Sequence, residues 1–333
     1  MKNSVVLVGQ ELNPKAQLFF NKFRKEKIFI LVDSNSKKYC LDLFTSFFPA
    51  LENSIILEIN TGESLKSLVT INFLANQLIH HRAEKKSLLI NLGGGVVSDL
   101  GGFLASIFNR GISYVNIPTT LLSQVDASIG GKTGVNLSHV KNKLGSFYHP
   151  ELVLILPLFL KTLCQNELLS GFGEIFKYSL INDKDMWSLL KRTEFRLDSN
   201  LEKLISRSII IKQNIVKKDV FDNNIRKVLN FGHTIGHAVE SACFDNPKFN
   251  HGICVVIGML CESYISNQLN YLSCSVFLEI QEILTSKFPL NKIENIEEVL
   301  SFVHNDKKNK NNKIKIITIS EIGNVNFDIT VSE

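Results

Sequence analysis

Short apolar runs alternate with longer amphipathic segments over the first half of the chain. The runs end in turn-forming residues, a pattern typical of buried strands, whereas the segments between them repeat apolar residues at helical spacing. The runs occupy residues 27–33, 54–58, 87–92, 114–117 and 151–157, and the helical segments are 66–80, 96–108 and 121–128. This alternation predicts an α/β domain over residues 1–158.

After Pro150 the strand signal fades and the apolar spacing becomes helical. Helical segments follow from residue 159, and a strand-like run, IKIITI, returns at 314–319. A chain of 333 residues is long enough for two domains of ordinary size. We therefore expect residues 159–333 to form a second, mostly helical domain.

A polar stripe lies in RKVLNFGHTIGHAVE, residues 226–240, if this segment is one helix. Steps of four, three and four residues place its polar side chains on one face, namely Arg226, Asn230, His233 and His237. Gly232 and Gly236 lie in the same segment, although glycine in a helix costs about 1 kcal/mol relative to alanine. We therefore expect another backbone to approach this segment closely, and its polar face to form a site.

Two histidines and one carboxylate with an open position are a ligand set of catalytic zinc. Glu174, His233 and His251 are candidates for such a set. By spacing alone, His237 can pair with His233 instead, since the two are one helical turn apart. Glu174 and Lys177 lie in the glycine-flanked helix GFGEIFKY, where apolar neighbours favour burial and a surface ion pair is the alternative. A buried acid needs a metal or a cation as its partner.

Three glycines at 93–95 separate the strand at 87–92 from the next predicted helix. Exposed amides and the positive end of a helix dipole make such a corner an anion site. The G-x-G-x-x-G spacing of the Rossmann fingerprint is absent. Asp33, at the end of an earlier strand, can hold a nucleotide ribose or cap a helix.

A second glycine turn is predicted in IGGKTGVN, residues 129–136, around Lys132. Its GKT resembles the end of an NTPase P-loop, but Asp126 stands where that loop needs its first glycine. Lys132 remains a candidate partner for a phosphate, with a solvated loop lysine as the alternative.

The net charge of +5 comes without a long basic block, so anionic small molecules are better candidates than nucleic acids. The charged run DKKNKNNK at 306–313 is expected to be a solvated loop with a lysine able to reach such a molecule. The six cysteines form no Cys-x-x-Cys pair, which favours reduced thiols in the cytoplasm. Neither a signal-peptide core nor a membrane-spanning stretch of about 18 apolar residues is recognisable. We expect a cytoplasmic protein without membrane or nucleic-acid partners.

With these motifs assembled, the chain resembles the 3-dehydroquinate synthase family along almost its whole length. The matching stretches follow the family's order: GGGVVSDLGGF, NRG, PTTLLSQVDASIGGKTGVN, KN at 141–142, FLKTL, GFGEIFKY, R-x-x-x-N-F-G-H-T-I-G-H and HG-x-x-V. The resemblance implies an α/β N-terminal nucleotide-binding domain and a mostly α-helical C-terminal domain, with the active site in the cleft between them. It also implies a shikimate-pathway lyase that converts 3-deoxy-D-arabino-heptulosonate 7-phosphate to 3-dehydroquinate and phosphate, using NAD and Zn²⁺ or Co²⁺. Other sugar-phosphate cyclases and metal-dependent polyol dehydrogenases are the alternative activities.

The resemblance assigns roles residue by residue. The implied metal ligands are Glu174, His233 and His251. The implied substrate-contacting and catalytic residues are Asp126, Lys132, Asn142, Lys177, Lys212, Asp222, Arg226, Asn230, His237 and Lys307, with Lys308 as the alternative to the last. The implied nucleotide contacts are Asp33, Thr61, Gly62, Glu63, Ser64, Leu65, Lys66, Gly94, Gly95, Val96, Val97, Ser98, Asp99, Thr119, Thr120, Lys132, Lys141, Phe159, Leu160, Lys161 and Thr162. Arg110 is implied to reach the substrate phosphate in the neighbouring subunit of a homodimer.

Three residues depart from the family pattern. Ser98 replaces a glycine, Ile253 replaces a glutamate, and Asp222 stands where a glutamate is usual. The third departure shortens an acid by one methylene, so we expect it to affect substrate positioning most.

Overall fold

The computed structural model describes residues 4–9, 14–137, 140–244, 246–304 and 314–331. The chain forms two compact units, residues 1–163 and 164–333. The division falls after Leu163, whereas the sequence pattern suggests a boundary after Leu158.

A parallel sheet forms the frame of the first unit. The strands of this unit are β1 (Val5–Val8), β2 (Ile28–Asp33), β3 (Ile55–Ile59), β4 (Leu88–Gly93), β5 (Ser113–Pro118), β6 (Lys132–Leu137), β7 (Val140–Phe147) and β8 (Leu152–Ile155). The sheet has the order β1-β8-β5-β4-β2-β3, and β6 pairs with β7 as a separate antiparallel hairpin. The helices of this unit are α1 (Pro14–Phe20), α2 (Ser34–Ser36), α3 (Asp42–Phe47), α4 (Leu68–His80) and α5 (Gly95–Ile107).

Both faces of the sheet are buried. On β2, Ile28, Ile30 and Val32 pack into a cluster with α1 and α3, whereas Phe29 and Leu31 point to the other face and pack with α4 and α5. A strand covered on both faces needs apolar residues at every position, which explains the unbroken apolar runs of the sequence. The predicted α/β class and its strands are confirmed.

The order of the strands reverses between β2 and β4. From β2 the chain adds β3 on one side, then returns to add β4, β5 and β8 on the other. In open parallel sheets of this kind, ligands bind outside the carboxyl ends of the strands at the point of reversal. Asp33 ends β2 and Gly93 ends β4, so the candidate ribose acid and the glycine turn flank that point.

The hairpin of β6 and β7 was not predicted. Positive φ angles of 100° at Gly130 and 68° at Gly131 confine the turn to these glycines, and Lys132 already opens β6. The predicted glycine turn around Lys132 is therefore correct for Gly130 and Gly131 but wrong from Lys132 onward, where the chain forms strand β6. Few apolar residues mark either strand, so the sequence carried no clear alternation.

Helices dominate the second unit, as predicted. They are α6 (Gln165–Asn182), α7 (Lys184–Leu190), α8 (Ser199–Lys218), α9 (His233–Ala242), α10 (His251–Gln268), α11 (Cys274–Lys287) and α12 (Ile296–His304). The remaining strands, β9 (Ile314–Glu321) and β10 (Asn324–Val331), pair antiparallel. Among the described residues, no helix combines the length and apolar character needed to cross a bilayer.

The prediction of one helix over residues 226–240 is wrong. A 3₁₀ helix covers Ile225–Asn230, Phe231 is non-helical, and Gly232 adopts a φ of 76° before α9 begins at His233. Glycine reaches this left-handed conformation without steric strain, so the chain turns there. Arg226 and Asn230 therefore share no helix with His233. The expected close approach is confirmed, because a Cβ added at Gly232 would lie 2.7 Å from the carbonyl oxygen of Val255.

Candidate active site

Helices α6, α9 and α10 bring Glu174, His233 and His251 together. Glu174 is fully buried in α6, and the two histidines are the first residues of α9 and α10. Nε2 of His233 lies 3.3 Å from Glu174 Oε1, and Nε2 of His251 lies 3.5 Å from the same oxygen. Two ring nitrogens and one carboxylate thus face a single small volume, and the structure assembles the trio nominated from sequence.

A pair of glycines sets the contact between α6 and α10. A Cβ added at Gly173 would lie 2.6 Å from the carbonyl oxygen of Gly252, and one added at Gly252 would lie 2.3 Å from that of Ser170. Gly173 precedes Glu174, and Gly252 follows His251. The two backbones therefore meet next to the two donors, at a separation that only glycine permits.

The start of α10 is tied to α6 by a second contact. Asn250 caps α10, since its Oδ1 accepts a hydrogen bond from the amide of Ile253 at 3.0 Å. Its Nδ2 donates to the carbonyl oxygen of Asn166, on the first turn of α6, at 2.9 Å. An N-cap satisfies an amide that the helix leaves unpaired, and here the same side chain also fixes the position of His251.

Glycines also set the contact between α9 and α10. A Cβ added at Gly258 would lie 1.8 Å from the carbonyl oxygen of Gly232, and one added at Gly236 would lie 2.8 Å from that of Cys254. The amide of Gly232 donates to the buried carboxylate of Glu262 at 2.9 Å. The turn that leads into His233 is thus held from α10.

Lys177 pairs with Glu174 inside the protein, so the surface ion pair considered from sequence is wrong. The side chains are 2% and 0% exposed, and the ammonium contacts Glu174 Oε2. Burial alone would raise the pKa of Glu174, but Lys177 and the two histidines outweigh it and hold this pKa well below its usual range. Glu174 is therefore an anion at neutral pH.

The two histidines have their Nδ1 atoms turned away from Glu174. Nδ1 of His233 lies 3.1 Å from the carbonyl oxygen of Phe231, and Nδ1 of His251 lies 3.3 Å from Glu240 Oε2. Burial lowers the pKa of His233, and Lys177 lowers it further. Burial also opposes a charge on His251, but Glu174 and Glu240 raise its pKa to about 10.

His237 lies beside Glu174, His233 and His251 but has different neighbours. Its ring centroid is 5.0 Å from that of His233 and 6.0 Å from that of His251, and it is exposed. With Glu240 and His251 it forms a second group whose ligand atoms are mutually close. Among the described residues, both candidate metal-binding groups contain His251 and a carboxylate, and neither combines His233 with His237.

Besides Lys177 on α6 and His237 on α9, the described residues nominated for substrate binding in the second unit lie on α8 and in the segment before α9. Lys212 and Arg226 are buried, Asn230 is half-buried, and Asp222 adopts a φ of 61°. Asp219, which sequence analysis missed, organises this turn.

The Asp219 carboxylate holds the turn through backbone amides. It accepts hydrogen bonds from the amides of Asn223 at 3.1 Å, Asn224 at 2.7 Å and Arg226 at 3.1 Å. Burial would raise the pKa of Asp219, but these amides lower it. An acid several residues before a turn is the only sequence signal of this role, and it is a weak one.

The nucleotide candidates lie at the carboxyl ends of the parallel strands. Residues 61–66 follow β3, residues 94–99 begin α5 after β4, Thr119 and Thr120 follow β5, and residues 159–162 follow β8. Lys132 and Lys141 lie on the hairpin, and Asp126 lies in the π-helix Ser123–Ala127. Of the two roles proposed for Asp33, the structure shows the helix cap. Its Oδ1 caps α2 by accepting a hydrogen bond from the amide of Ser36 at 2.7 Å.

A buried lysine joins three of these segments. Lys66, which is 4% exposed, donates to Asp99 Oδ2 at 2.6 Å and to Asn142 Oδ1 at 2.5 Å. Asn136 adds a contact with Glu63 Oε1 at 3.0 Å and accepts from the amide of Asn142 at 2.9 Å. The loop after β3, the start of α5 and the hairpin are therefore linked by one polar network.

Arg110 lies in a strained turn after α5. Asn109 and Arg110 have φ angles of 49° and 57°, which non-glycine residues rarely adopt. The ammonium of Lys85 donates to the carbonyl oxygens of Asn109 and Arg110, each at 3.0 Å, and to that of Gly111. Arg110 as a whole residue is exposed.

A sequence profile described as 3-dehydroquinate synthase N-terminal matches residues 56–170, and one described as 3-dehydroquinate synthase C-terminal matches residues 171–309. The chain belongs to the 3-dehydroquinate synthase family. The predicted resemblance is confirmed.

Individual relatives agree with this assignment. The 3-dehydroquinate synthase of Clostridium beijerinckii is 40% identical over 306 residues, which cover 90% of this chain and 87% of the relative. That of Parabacteroides distasonis is 34% identical over 340 residues, covering 100% and 96%. Among solved structures, 2-deoxy-scyllo-inosose synthase complexed with carbaglucose-6-phosphate, NAD⁺ and Co²⁺ has a TM-score of 0.88 at 22% identity, covering 99% of this chain and 95% of that one.

The departures from the 3-dehydroquinate synthase pattern lie in three settings. Ser98 is buried in α5, and its hydroxyl has no hydrogen-bond partner among the described residues. Ile253 is 1% exposed in α10. Asp222 lies on the turn before Arg226. The nominated Lys307 and its alternative Lys308 lie outside the described residues.

Proposed function

We propose that the protein catalyses the 3-dehydroquinate synthase reaction, the conversion of 3-deoxy-D-arabino-heptulosonate 7-phosphate to 3-dehydroquinate and phosphate. Membership of the family makes this reaction the leading candidate. The observation that carries the proposal is the cluster of buried Glu174 with His233 and His251, since it supplies a metal-binding set beside the buried ammonium of Lys177.

The cluster fits a divalent metal. Bonds of about 2.1 Å at tetrahedral angles place two ligand atoms about 3.4 Å apart, and the two Nε2 atoms lie 3.3 and 3.5 Å from Glu174 Oε1. Within the described residues, neither oxygen of Glu174 accepts a hydrogen bond of good geometry, and only Oε2 is paired with the ammonium of Lys177. Two imidazoles and one carboxylate suit Zn²⁺ or Co²⁺. When bound, the ion would lower the pKa of a substrate hydroxyl and so favour hydride transfer.

The first unit supports NAD as the second cofactor. The amides at the start of α5 would hold its pyrophosphate, because Gly94 and Gly95 leave that helix end uncovered by side chains. Within the described residues, Ser36 donates to Asp33 through Oδ1, so Oδ2 can accept from a ribose hydroxyl. Lys66 would keep Asp99 and the hairpin in place around the nucleotide.

The chain's own cations would orient the substrate. The substrate carries a carboxylate and a phosphate, and Lys177, Lys212 and Arg226 are buried cations of the second unit. A desolvated cation binds an anion more strongly than an exposed one does. Held in this way, the substrate keeps the conformation in which oxidation, phosphate loss, reduction and ring closure can follow one another.

We propose that NAD is recycled, because the hydride taken early is returned later. The test supplies NAD at a small fraction of the substrate and measures phosphate and NADH together. Phosphate should exceed the NAD supplied many times over, with no lasting gain in NADH absorbance. A product yield limited to the NAD supplied, with NADH accumulating, would show a polyol dehydrogenase instead.

We also propose a homodimer in which Arg110 contacts the substrate phosphate bound to the other subunit. The strained turn and its three contacts with Lys85 support a fixed backbone at Arg110, whose guanidinium can bind two phosphate oxygens at once. Mixing inactive Arg110→Ala with inactive Lys132→Ala subunits should restore about a quarter of the activity, since a mixed dimer has one intact site. No recovery would place Arg110 at its own subunit's site.

A further inference from the structure

Glu240 is a partly buried acid that the proposed reaction leaves without a role. It lies on α9, seven residues after His233, and its side chain is 17% exposed. Its Oε2 faces Nδ1 of His251 at 3.3 Å. On the other side of the same ring, Nε2 faces Glu174 Oε1 at 3.5 Å.

The ring of His251 is thus held between two carboxylates that contact different nitrogens. An imidazole that donates from Nδ1 has its lone pair on Nε2, so the acceptor at Nδ1 decides which nitrogen can bind a metal. We infer that Glu240 is a positioning residue that orients His251 and increases the affinity of the proposed metal centre. This inference rests on the proposed function of that centre.

His233 supports the inference because it repeats the arrangement with a weaker acceptor. Its Nε2 faces Glu174, and its Nδ1 lies 3.1 Å from the carbonyl oxygen of Phe231. Both histidines therefore direct the same nitrogen to the centre. A carboxylate is a stronger acceptor than a carbonyl, so His251 should be the more electron-rich ligand of the two.

The position of Glu240 also suits this role mechanically. It lies on α9, whereas His251 lies on α10, and glycines hold these helices in close contact. The hydrogen bond therefore spans two elements whose relative position is fixed. A rigid acceptor keeps a metal-binding ring in one orientation before the ion arrives.

The test measures the affinity of Co²⁺ by competition with a chromophoric chelator, together with the visible spectrum of the bound ion. One equivalent of Co²⁺ should bind the unaltered protein; if none binds, the proposed centre itself fails. Glu240→Ala should bind about 10 to 100 times more weakly and show a changed spectrum. Glu240→Gln keeps an acceptor oxygen and should recover most of the loss.

Two controls keep the result specific. Glu282→Gln makes the same change on the exposed surface of α11 and should leave Co²⁺ affinity unaltered. Glu240→Met keeps the length of the side chain without an acceptor oxygen, leaving only a weakly accepting sulfur, so it replaces the alanine variant if that variant does not fold.

Two results would overturn the inference. One is an unaltered Co²⁺ affinity in both Glu240→Ala and Glu240→Met. The other is binding of two ions by the unaltered protein, with loss of only the second in these variants. That outcome would make Glu240 a ligand in the group with His237 and His251.

Discussion

Gly252→Ala should weaken metal binding as well as the fold. The added methyl carbon would lie 2.3 Å from the carbonyl oxygen of Ser170 and 2.5 Å from its Cα. Because non-bonded carbon atoms prefer about 3.5–4.0 Å, α6 and α10 must separate by roughly 1 Å. His251, the neighbour of Gly252, would then move away from Glu174.

Two terms oppose each other in the effect on folding. Overpacking of this kind destabilises by about 1–3 kcal/mol, and replacing a helical glycine by alanine returns up to about 1 kcal/mol. Metal binding has no such compensation. A donor displaced by roughly 1 Å loses most of its bond, so we expect at least about a tenfold loss of Co²⁺ affinity, comparable with the loss of a supporting contact.

Chelator competition and thermal unfolding of the metal-free protein measure the two effects separately. Gly95→Ala is the matched control, because its added methyl would meet the Ala127 side chain at an ordinary 3.5 Å. Both assays omit nucleotide, since Gly95 is a candidate nucleotide contact. Unaltered Co²⁺ affinity in a folded Gly252→Ala protein would refute the argument that the glycine contact positions His251.

Three further changes test other parts of the structure. His237→Ala should retain the metal and lose much of the rate, whereas His233→Ala should lose the metal; equal metal loss in the two purified proteins would contradict the ligand assignment. Asp222→Asn keeps the tolerance for positive φ but removes the charge, so turnover should fall by about one to two orders of magnitude, and unaltered kinetics would exclude a role. Asp183→Asn keeps the cap of α7 but loses the charged pair with Arg207, whose Nε lies 2.8 Å from Asp183 Oδ2. The unfolding free energy should therefore fall by about 1 kcal/mol at neutral pH. Burial would raise the pKa of Asp183, but Arg207 and the cap lower it. The stabilisation by the Asp183–Arg207 pair is therefore present above about pH 4 and fades as the pH falls below that value. Denaturant titrations of the unaltered protein and Asp183→Asn should converge there.

The sequence predicted the elements whose burial is continuous and missed those fixed by single residues. The strands at β2 and β4 were readable because both faces of the sheet are covered. The helix over residues 226–240 was wrong because periodicity cannot show that Gly232 has a positive φ. The same glycine was correctly read as a point of close approach, but the sequence could not show that its partner is α10.

The candidate site was predictable in composition but not in geometry. Glu174 and His233 are 59 positions apart, and only the glycine contacts of α10 explain why their side chains meet. The Nδ1 partners could not be foreseen either. Glu240 shares a helix with His233 but contacts His251, a pairing that depends on how α9 and α10 cross.

All three proposed donors adjoin a glycine at a helix contact: Gly173 precedes Glu174, Gly232 precedes His233, and Gly252 follows His251. Each donor is therefore located by backbone contact at the next residue, without an intervening layer of side chains. Side-chain layers can repack when one member changes, but backbones in direct contact cannot move independently. It follows that a small change in an apolar layer away from these contacts should lower stability without altering metal affinity. An addition at any of the three glycines should lower metal affinity as well as stability.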